Sequence, residues 1–191
     1  MSVCITIRTE KKITPEDMFK EIEKAGVQIS CASNVFPFLK FGKHKCALRG
    51  IKVTEEENGY DISVCTFASD DDYRLFILTI DVILKMTQGH AFLDNEYEIK
   101  NPLSIYNEKW IQTQKEQSFR RIKALTHYFG EESSINGLYH RIHIGTKVLN
   151  SFDIYYYSDY SEEKMNAIQD YLIAKQWNKV NIKDNQTNTP C

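Results

Sequence analysis

The chain has 191 residues, of which 42% are hydrophobic and 26% charged, and its formal net charge is −2 at pH 7. These values exclude collagen-like, coiled-coil and disordered classes, and the near-neutral charge gives no general attraction to nucleic acid or anionic lipid. No run approaches the ~20 apolar residues of a membrane span, and five scattered cysteines are typical of a reducing compartment, so we expect a cytoplasmic protein without a membrane partner.

The beginning of the chain predicts one strand, one helix and a long loop. Residues 3–8 alternate apolar and polar side chains, which is the pattern of a half-buried strand. Thr14 and Pro15 then begin a helix that stops at Gly26. The segment 27–45 is interrupted by Asn, Pro and Gly residues, and we expect it to be mostly loop.

A hairpin and a very apolar helix follow. Residues 47–54 and 60–67 are rich in β-formers, and the Asn58-Gly59 pair between them is a strong hairpin signal. In the second strand Tyr60, Ile62 and Val64 share the face that we expect to point inward. Ser69 begins a helix that is apolar on most sides, so we expect this helix to be buried.

The rest of the chain predicts a similar order of elements. A short turn and strand span 90–101, and a long helix runs from Ser104 to Gly130. Residues 138–144 and 148–157 are candidates for a second hairpin, and Ser161 begins a last helix. Residues 181–191 are polar and without periodicity, which predicts a flexible tail.

This order indicates an internal repeat. When the sequence is shifted by 92 places, residue 154 falls under residue 62, and Phe152-Asp153-Ile154 aligns with Tyr60-Asp61-Ile62. We therefore predict an α+β fold of two β-α-β-β-α units, with antiparallel sheet or sheets covered by helices. The first half spans 1–92 and the second spans 93–180. Chance similarity between two motif orders is the alternative.

No motif in the sequence indicates catalysis, a metal or a cofactor. His140 and His143 flank Arg141, but positions three apart in a strand point to opposite faces, which argues against a shared metal ion. Carboxylates at the two helix starts are explained by the helix dipole. No two cysteines form a Cys-x-x-Cys pair, and we predict no catalytic residue, no metal and no cofactor.

Two functions remain. The first is a non-enzymatic bacterial module that binds another protein, such as a toxin-neutralising immunity protein or an adaptor. Abundant aromatic residues without a chemical constellation favour it, and nucleic acid is an unlikely partner. The oligomeric state is left open. The candidate partner-binding residues are the aromatics of two segments: Phe36, Phe38, Phe41, Tyr155, Tyr157 and Tyr160. A packed loop would instead bury such aromatics in the core.

The second is a small-molecule-binding domain or small enzyme with an anionic ligand between the halves. The shift of 92 places aligns Arg49 with Arg141, and two arginines that meet across a cleft would bind an anion. With the neighbouring His140 and His143, they are the candidate ligand-binding residues. The simpler alternative is that each arginine pairs with a nearby carboxylate.

Overall fold

Seven antiparallel strands form the main sheet in a computed structural model that describes residues 2–94 and 96–178. The order across the sheet is β2-β3-β4-β5-β1-β6-β7. The strands are β1 Ser2–Arg8, β2 Ile29–Val35, β3 Phe38–Lys43, β4 Ile51–Glu56, β5 Gly59–Cys65, β6 His90–Leu93 and β7 Tyr97–Ile99.

Helices pack on this sheet and on a small separate hairpin. The hairpin pairs β8 Ser134–Asn136 with β9 Arg141–His143. The helices are α1 Pro15–Lys24, α2 Asp70–Thr87, α3 Pro102–Ile105, α4 Glu108–Phe129, α5 Thr146–Asn150 and α6 Glu162–Trp177. The fold is therefore α+β, with an antiparallel sheet covered by helices, as predicted.

The larger hydrophobic core lies between the sheet and helices α1 and α2. Alternation along β5 buries Tyr60, Ile62 and Val64, as the sequence predicted. Helix α2 is capped at Ser69, whose hydroxyl accepts a hydrogen bond from the Asp72 N–H, and it packs Phe76 and other apolar side chains against the strands. This helix is the central element of the core.

A second core joins α4 and α6 to the β8–β9 hairpin. Phe119 and Ile122 of α4 pack there with Ile168 and Leu172 of α6. Leu48 and Phe67, which come from the first part of the chain, are buried in the same cluster. The two parts of the chain therefore share packing surfaces. The division at residue 92, which falls inside β6, stays a proposal.

The loop predicted for residues 27–45 is wrong, because this segment forms the β2–β3 hairpin. Pro37 lies between the two strands, where its missing N–H costs no ladder bond. Gly42 is inside β3, where a Cβ would come within 2.3 Å of the Ala47 Cβ. Residues that looked like breakers thus mark a turn and a close contact.

The hairpin predicted from 138–144 and 148–157 is also wrong. Residues 146–150 form α5, residues 151–158 are mostly turns, and β9 pairs with the preceding β8 instead. Buried side chains recur at Ile144, Leu149 and Ile154, a spacing that does not fit a strand.

The internal repeat is not confirmed. Helices α2 and α6 begin 92 residues apart, at 70 and 162, but the β4–β5 hairpin has no counterpart at that shift. The repeat stays a hypothesis. The predicted tail, 181–191, lies outside the described residues. Within 2–94 and 96–178, none of the helices has both the length and the apolar character required to cross a membrane.

Candidate functional site

A buried carboxylate holds the loop of residues 46–50, which connects β3 to β4. Asp72 is completely buried, and its Oδ2 accepts hydrogen bonds from the N–H of Leu48 (3.1 Å) and Arg49 (2.9 Å). Its Oδ1 accepts one from the N–H of Gly50 (2.9 Å), and Oδ2 also accepts from the N–H of Ser69 (2.9 Å). Burial raises the pKa of the Asp72 carboxyl, while these amide hydrogen bonds favour its ionised form. The carboxylate therefore fixes the backbone that carries Arg49.

Gly50 is required at the end of this loop. Its φ is +67°, in the left-handed region, and a Cβ there would lie 2.5 Å from the carbonyl oxygen of Phe41. The backbone of Leu138 is bonded to the same loop, because its N–H donates to the Leu48 carbonyl at 2.9 Å. The β8–β9 turn and the loop 46–50 are thus held together.

Two backbone carbonyls orient the Arg49 guanidinium. Nε donates to the carbonyl oxygen of Asn136 at 2.9 Å, and Nη1 donates to that of Thr66 at 2.5 Å. No carboxylate among residues 2–94 and 96–178 lies within ion-pair distance of it. The expectation that Arg49 pairs with a carboxylate is therefore wrong. Its charge is held in place by dipoles and is not neutralised by an opposite charge.

Arg49 lies at one side of the largest cleft that we describe, which has a volume of about 570 Å³. We call this space the arginine cleft. It lies between the end of β5, helix α4 and β8, so it is formed by both parts of the chain. The lining residues are Arg49, Thr66, Phe67, Arg121, Ala124, Leu125, Tyr128, Ser134, Ile135 and Asn136. The volume is in the range of small-molecule sites.

The arginine cleft has a polar and an apolar part. Arg121 Nη1 lies 3.5 Å from the Thr66 Oγ1, so a second guanidinium is close to the segment that binds Arg49. Phe67 and Ile135 are buried in the wall, and Tyr128 is 76% exposed. A cleft with two guanidiniums beside apolar walls suits an anion attached to an apolar body.

The β8–β9 hairpin places two predicted ligand residues beside the cleft. Arg141 is directly opposite Asn136, and His143 is opposite Ser134. Opposite residues of an antiparallel pair have side chains on the same face, about 5 Å apart at Cβ. Both side chains are exposed. Arg49 and Arg141 are therefore both next to Asn136, although only Arg49 lines the cleft.

His140 is not part of this arrangement. It lies in the hairpin turn, and its Nε2 is 3.2 Å from the carbonyl oxygen of Lys175 in α6. The histidine therefore packs towards α6 rather than towards the cleft.

Sequence reasoning missed Arg121 and Tyr128 as site residues. They and Leu125 are spaced four and three residues apart on α4, which places them on one face of the helix. That spacing is a signal, but the surface that this face meets comes from distant parts of the chain.

The predicted aromatic contacts of the β2–β3 region are mostly structural. Phe41 is completely buried and packs edge-on against Phe19 at 5.0 Å, so it is a core residue and not a contact for another protein. Phe36 is half-buried against Tyr60. Phe38 alone of the three is largely exposed, with Lys52 Nζ 4.9 Å from its ring centre.

The other aromatic segment is exposed and ordered. We call residues 155–157 the tyrosine turn. Tyr155 and Tyr157 are parallel at 5.7 Å, and Tyr156 stacks on His127 at 4.1 Å. Tyr160 is half-buried instead, because its hydroxyl accepts a hydrogen bond from Gln112 Nε2 at 2.9 Å.

The carboxylates at the start of α2 are engaged within the fold. Lys115, only 3% exposed, donates to Asp70 Oδ2 at 2.8 Å, and Lys43 donates to Asp71 Oδ1 at 2.9 Å. The Asp71 carboxylate raises the pKa of Lys43. Within the described part of the chain, no group of three potential metal ligands occurs.

Comparison with known proteins places the chain in a family. No curated protein and no solved structure matches it. The family described as domain of unknown function (DUF4299) matches over residues 2–182, which is almost the whole sequence. The chain therefore belongs to the DUF4299 family.

Proposed function

We propose that this protein binds an organic anion in the arginine cleft. The observation that carries the proposal is the Arg49 guanidinium, which is oriented by two carbonyls, has no carboxylate partner in the described residues and borders the cleft. An arginine held in this way loses little side-chain entropy when it binds an anion.

The composition of the cleft favours binding over catalysis. Its ten lining residues include two arginines, and none of them is a carboxylate, histidine, cysteine or lysine. A general base or an activated nucleophile needs such groups. The apolar walls then contribute affinity for the body of the ligand, and the arginines select its charge.

Isothermal titration calorimetry with 1-naphthoate and its neutral analogue 1-naphthol tests this proposal. We expect 1-naphthoate to bind roughly tenfold or more tightly than 1-naphthol, because a charge-assisted hydrogen bond is worth about 1.5–3 kcal/mol. Arg49→Gln should remove this preference. Arg120→Gln is the matched control, because Arg120 is exposed on α4 and does not line the cleft.

Arg49→Lys keeps the charge and is a second variant, in case loss of the two carbonyl bonds affects folding. Circular dichroism melting of each variant monitors the fold. Failure of 1-naphthoate to bind the folded wild-type protein, or equal binding by Arg49→Gln, would overturn the proposal.

A second candidate function is recognition of another protein through the tyrosine turn, as in an immunity protein or an adaptor. The order of this exposed turn favours it. The Tyr155 N–H donates to Ser158 Oγ at 2.9 Å, and the Ser158 N–H donates to the Tyr155 carbonyl at 3.0 Å. Lys164 Nζ also donates to the Asp153 carbonyl at 2.7 Å. Exposed tyrosines on a preordered backbone are common anchors of protein interfaces.

Affinity capture from cells with quantitative mass spectrometry compares this candidate with the first. We expect a protein that is captured by the wild type and lost with the double variant Tyr156→Ser and Tyr157→Ser. Tyr97→Ser, at a tyrosine that is 66% exposed on β7, is the matched control and should retain the partner. Equal recovery by the wild type and the double variant would contradict this role.

A further inference from the structure

We infer that the anion bound in the arginine cleft is a phosphate monoester with an aromatic or aliphatic body. This inference rests on the proposed function and specifies its ligand class. It follows from three properties of the cleft: the number of positive charges, the hydrogen-bond donors and the apolar walls.

The positive charge around the cleft exceeds what one carboxylate neutralises. Arg49 and Arg121 line it, and Arg141 lies on the adjacent strand opposite Asn136. No ion pair joins Arg49 or Arg141 to a carboxylate within 2–94 and 96–178. A carboxylate carries one negative charge, whereas a phosphate monoester carries about 1.5–2 at neutral pH. The guanidiniums therefore match a phosphate better.

Acidic groups near the cleft are already engaged. Glu131, which precedes β8, lies 2.8 Å from Lys147 Nζ. The Asp72 carboxylate accepts the N–H groups of Leu48, Arg49 and Gly50. Neither carboxylate lines the cleft. No negative charge in its wall opposes the entry of a dianion.

The polar part of the cleft also supplies uncharged donors. Thr66 and Ser134 contribute hydroxyls, and Asn136 contributes an amide. Together with the two arginine forks, they offer more donors than the two oxygens of a carboxylate accept. A phosphate presents three oxygens with several lone pairs, and arginine forks bind it bidentately.

The apolar walls indicate that the phosphate is esterified. Phe67, Ala124, Leu125 and Ile135 line the same space, and Tyr128 offers an exposed ring beside it. Inorganic phosphate would occupy a small fraction of about 570 Å³ and leave these walls in water. A ring or a short chain attached to the phosphate covers them, and Tyr128 stacks on a planar body.

Calorimetry with four probes tests this inference: 1-naphthyl phosphate, 1-naphthoate, inorganic phosphate and adenosine monophosphate. We expect 1-naphthyl phosphate to bind roughly tenfold or more tightly than 1-naphthoate and inorganic phosphate. Arg141→Gln should weaken 1-naphthyl phosphate about fivefold or more and leave 1-naphthoate within about twofold, because only the dianion needs the third guanidinium. Arg120→Gln should change neither probe.

The outcomes separate the two proposals. Binding of 1-naphthoate as tightly as 1-naphthyl phosphate overturns the phosphate inference and leaves anion binding intact. Inorganic phosphate binding as tightly as the ester overturns the role of the apolar walls. If none of the four probes binds the folded protein, both proposals fail. Tighter binding of adenosine monophosphate than of 1-naphthyl phosphate supports the inference with a nucleotide as the source, and the reverse order supports it with another organic phosphate.

Discussion

Asp72→Asn should loosen the loop that carries Arg49 while leaving the shape of residue 72 almost unchanged. In the wild type the two carboxylate oxygens accept four backbone N–H groups, those of Leu48, Arg49, Gly50 and Ser69. Asparagine has one acceptor oxygen, and its amide nitrogen is a donor. Whichever way the amide turns, at least one backbone N–H loses its acceptor and faces another donor.

The magnitude follows from this count. In the better orientation the amide oxygen takes the place of Oδ2, which accepts three bonds, and the amide nitrogen faces the Gly50 N–H. The loss of one charge-assisted bond costs about 1.5–3 kcal/mol, and the three retained bonds weaken because the acceptor is neutral. Relief of the desolvation of the buried charge offsets a part. We expect a net destabilisation of about 2–4 kcal/mol.

Urea unfolding followed by circular dichroism measures this change, and at this chain length the melting temperature should fall by about 5–12 °C. Asp71→Asn is the matched control one residue away. Its carboxylate pairs with Lys43 at a partly exposed position, so the cost should be about 1 kcal/mol or less. Affinity for 1-naphthoate should fall with Asp72→Asn only. An unfolding free energy within about 0.5 kcal/mol of the wild-type value would refute the reasoning.

Three further predictions concern single positions. Gly50→Ala should destabilise the protein by about 2 kcal/mol more than Gly26→Ala in urea unfolding, because both have a positive φ but only Gly50 has a backbone oxygen in the Cβ position. Ser69→Ala should cost about 1–2 kcal/mol, and the exposed cap variant Thr14→Ala about 0.5–1 kcal/mol; equal costs would contradict the role of burial. Burial raises the pKa of the Cys4 thiol from 9.0 to about 11, so in a variant whose other cysteines are serine, iodoacetamide at pH 8 should alkylate the native protein about a hundredfold more slowly than the urea-unfolded chain. Rates within about threefold of each other would contradict this shift.

The elements that the sequence predicts correctly depend on short-range interactions. The start of α2 is an example, because the Ser69 hydroxyl and the Asp72 N–H are three residues apart in the chain. The Asn58-Gly59 turn joins β4 to β5, and the alternation of Tyr60, Ile62 and Val64 gives the buried face of β5. A pattern of neighbours is sufficient when the partners are neighbours.

The wrong predictions fall where short and long range disagree. Pro37 and Gly42 were interpreted as breakers, although they lie in a turn and at a close contact within one hairpin. Residues 148–157 contain many β-formers, yet burial at Leu149 and Ile154 against α4 and α6 makes this segment a short helix and turns.

The candidate site was predictable in kind and only in part by residue. The sequence alone marked Arg49 and Arg141, because the shift of 92 places aligned them, although the repeat itself is not confirmed. It did not indicate Arg121 or Tyr128. The order of the sheet, with β1 between β5 and β6, was also outside its reach.

The amino-acid sequence by itself determined the helix caps, one hairpin, the buried helix α2 and the fold class, because each depends on residues a few positions apart. The tertiary structure alone decided the arginine cleft. There the Arg49 guanidinium meets the carbonyl of Asn136, 87 residues further along the chain. Such contacts form only when distant segments pack, since loop 46–50, α4 and β8 each lack a cleft until the two hydrophobic cores bring them together.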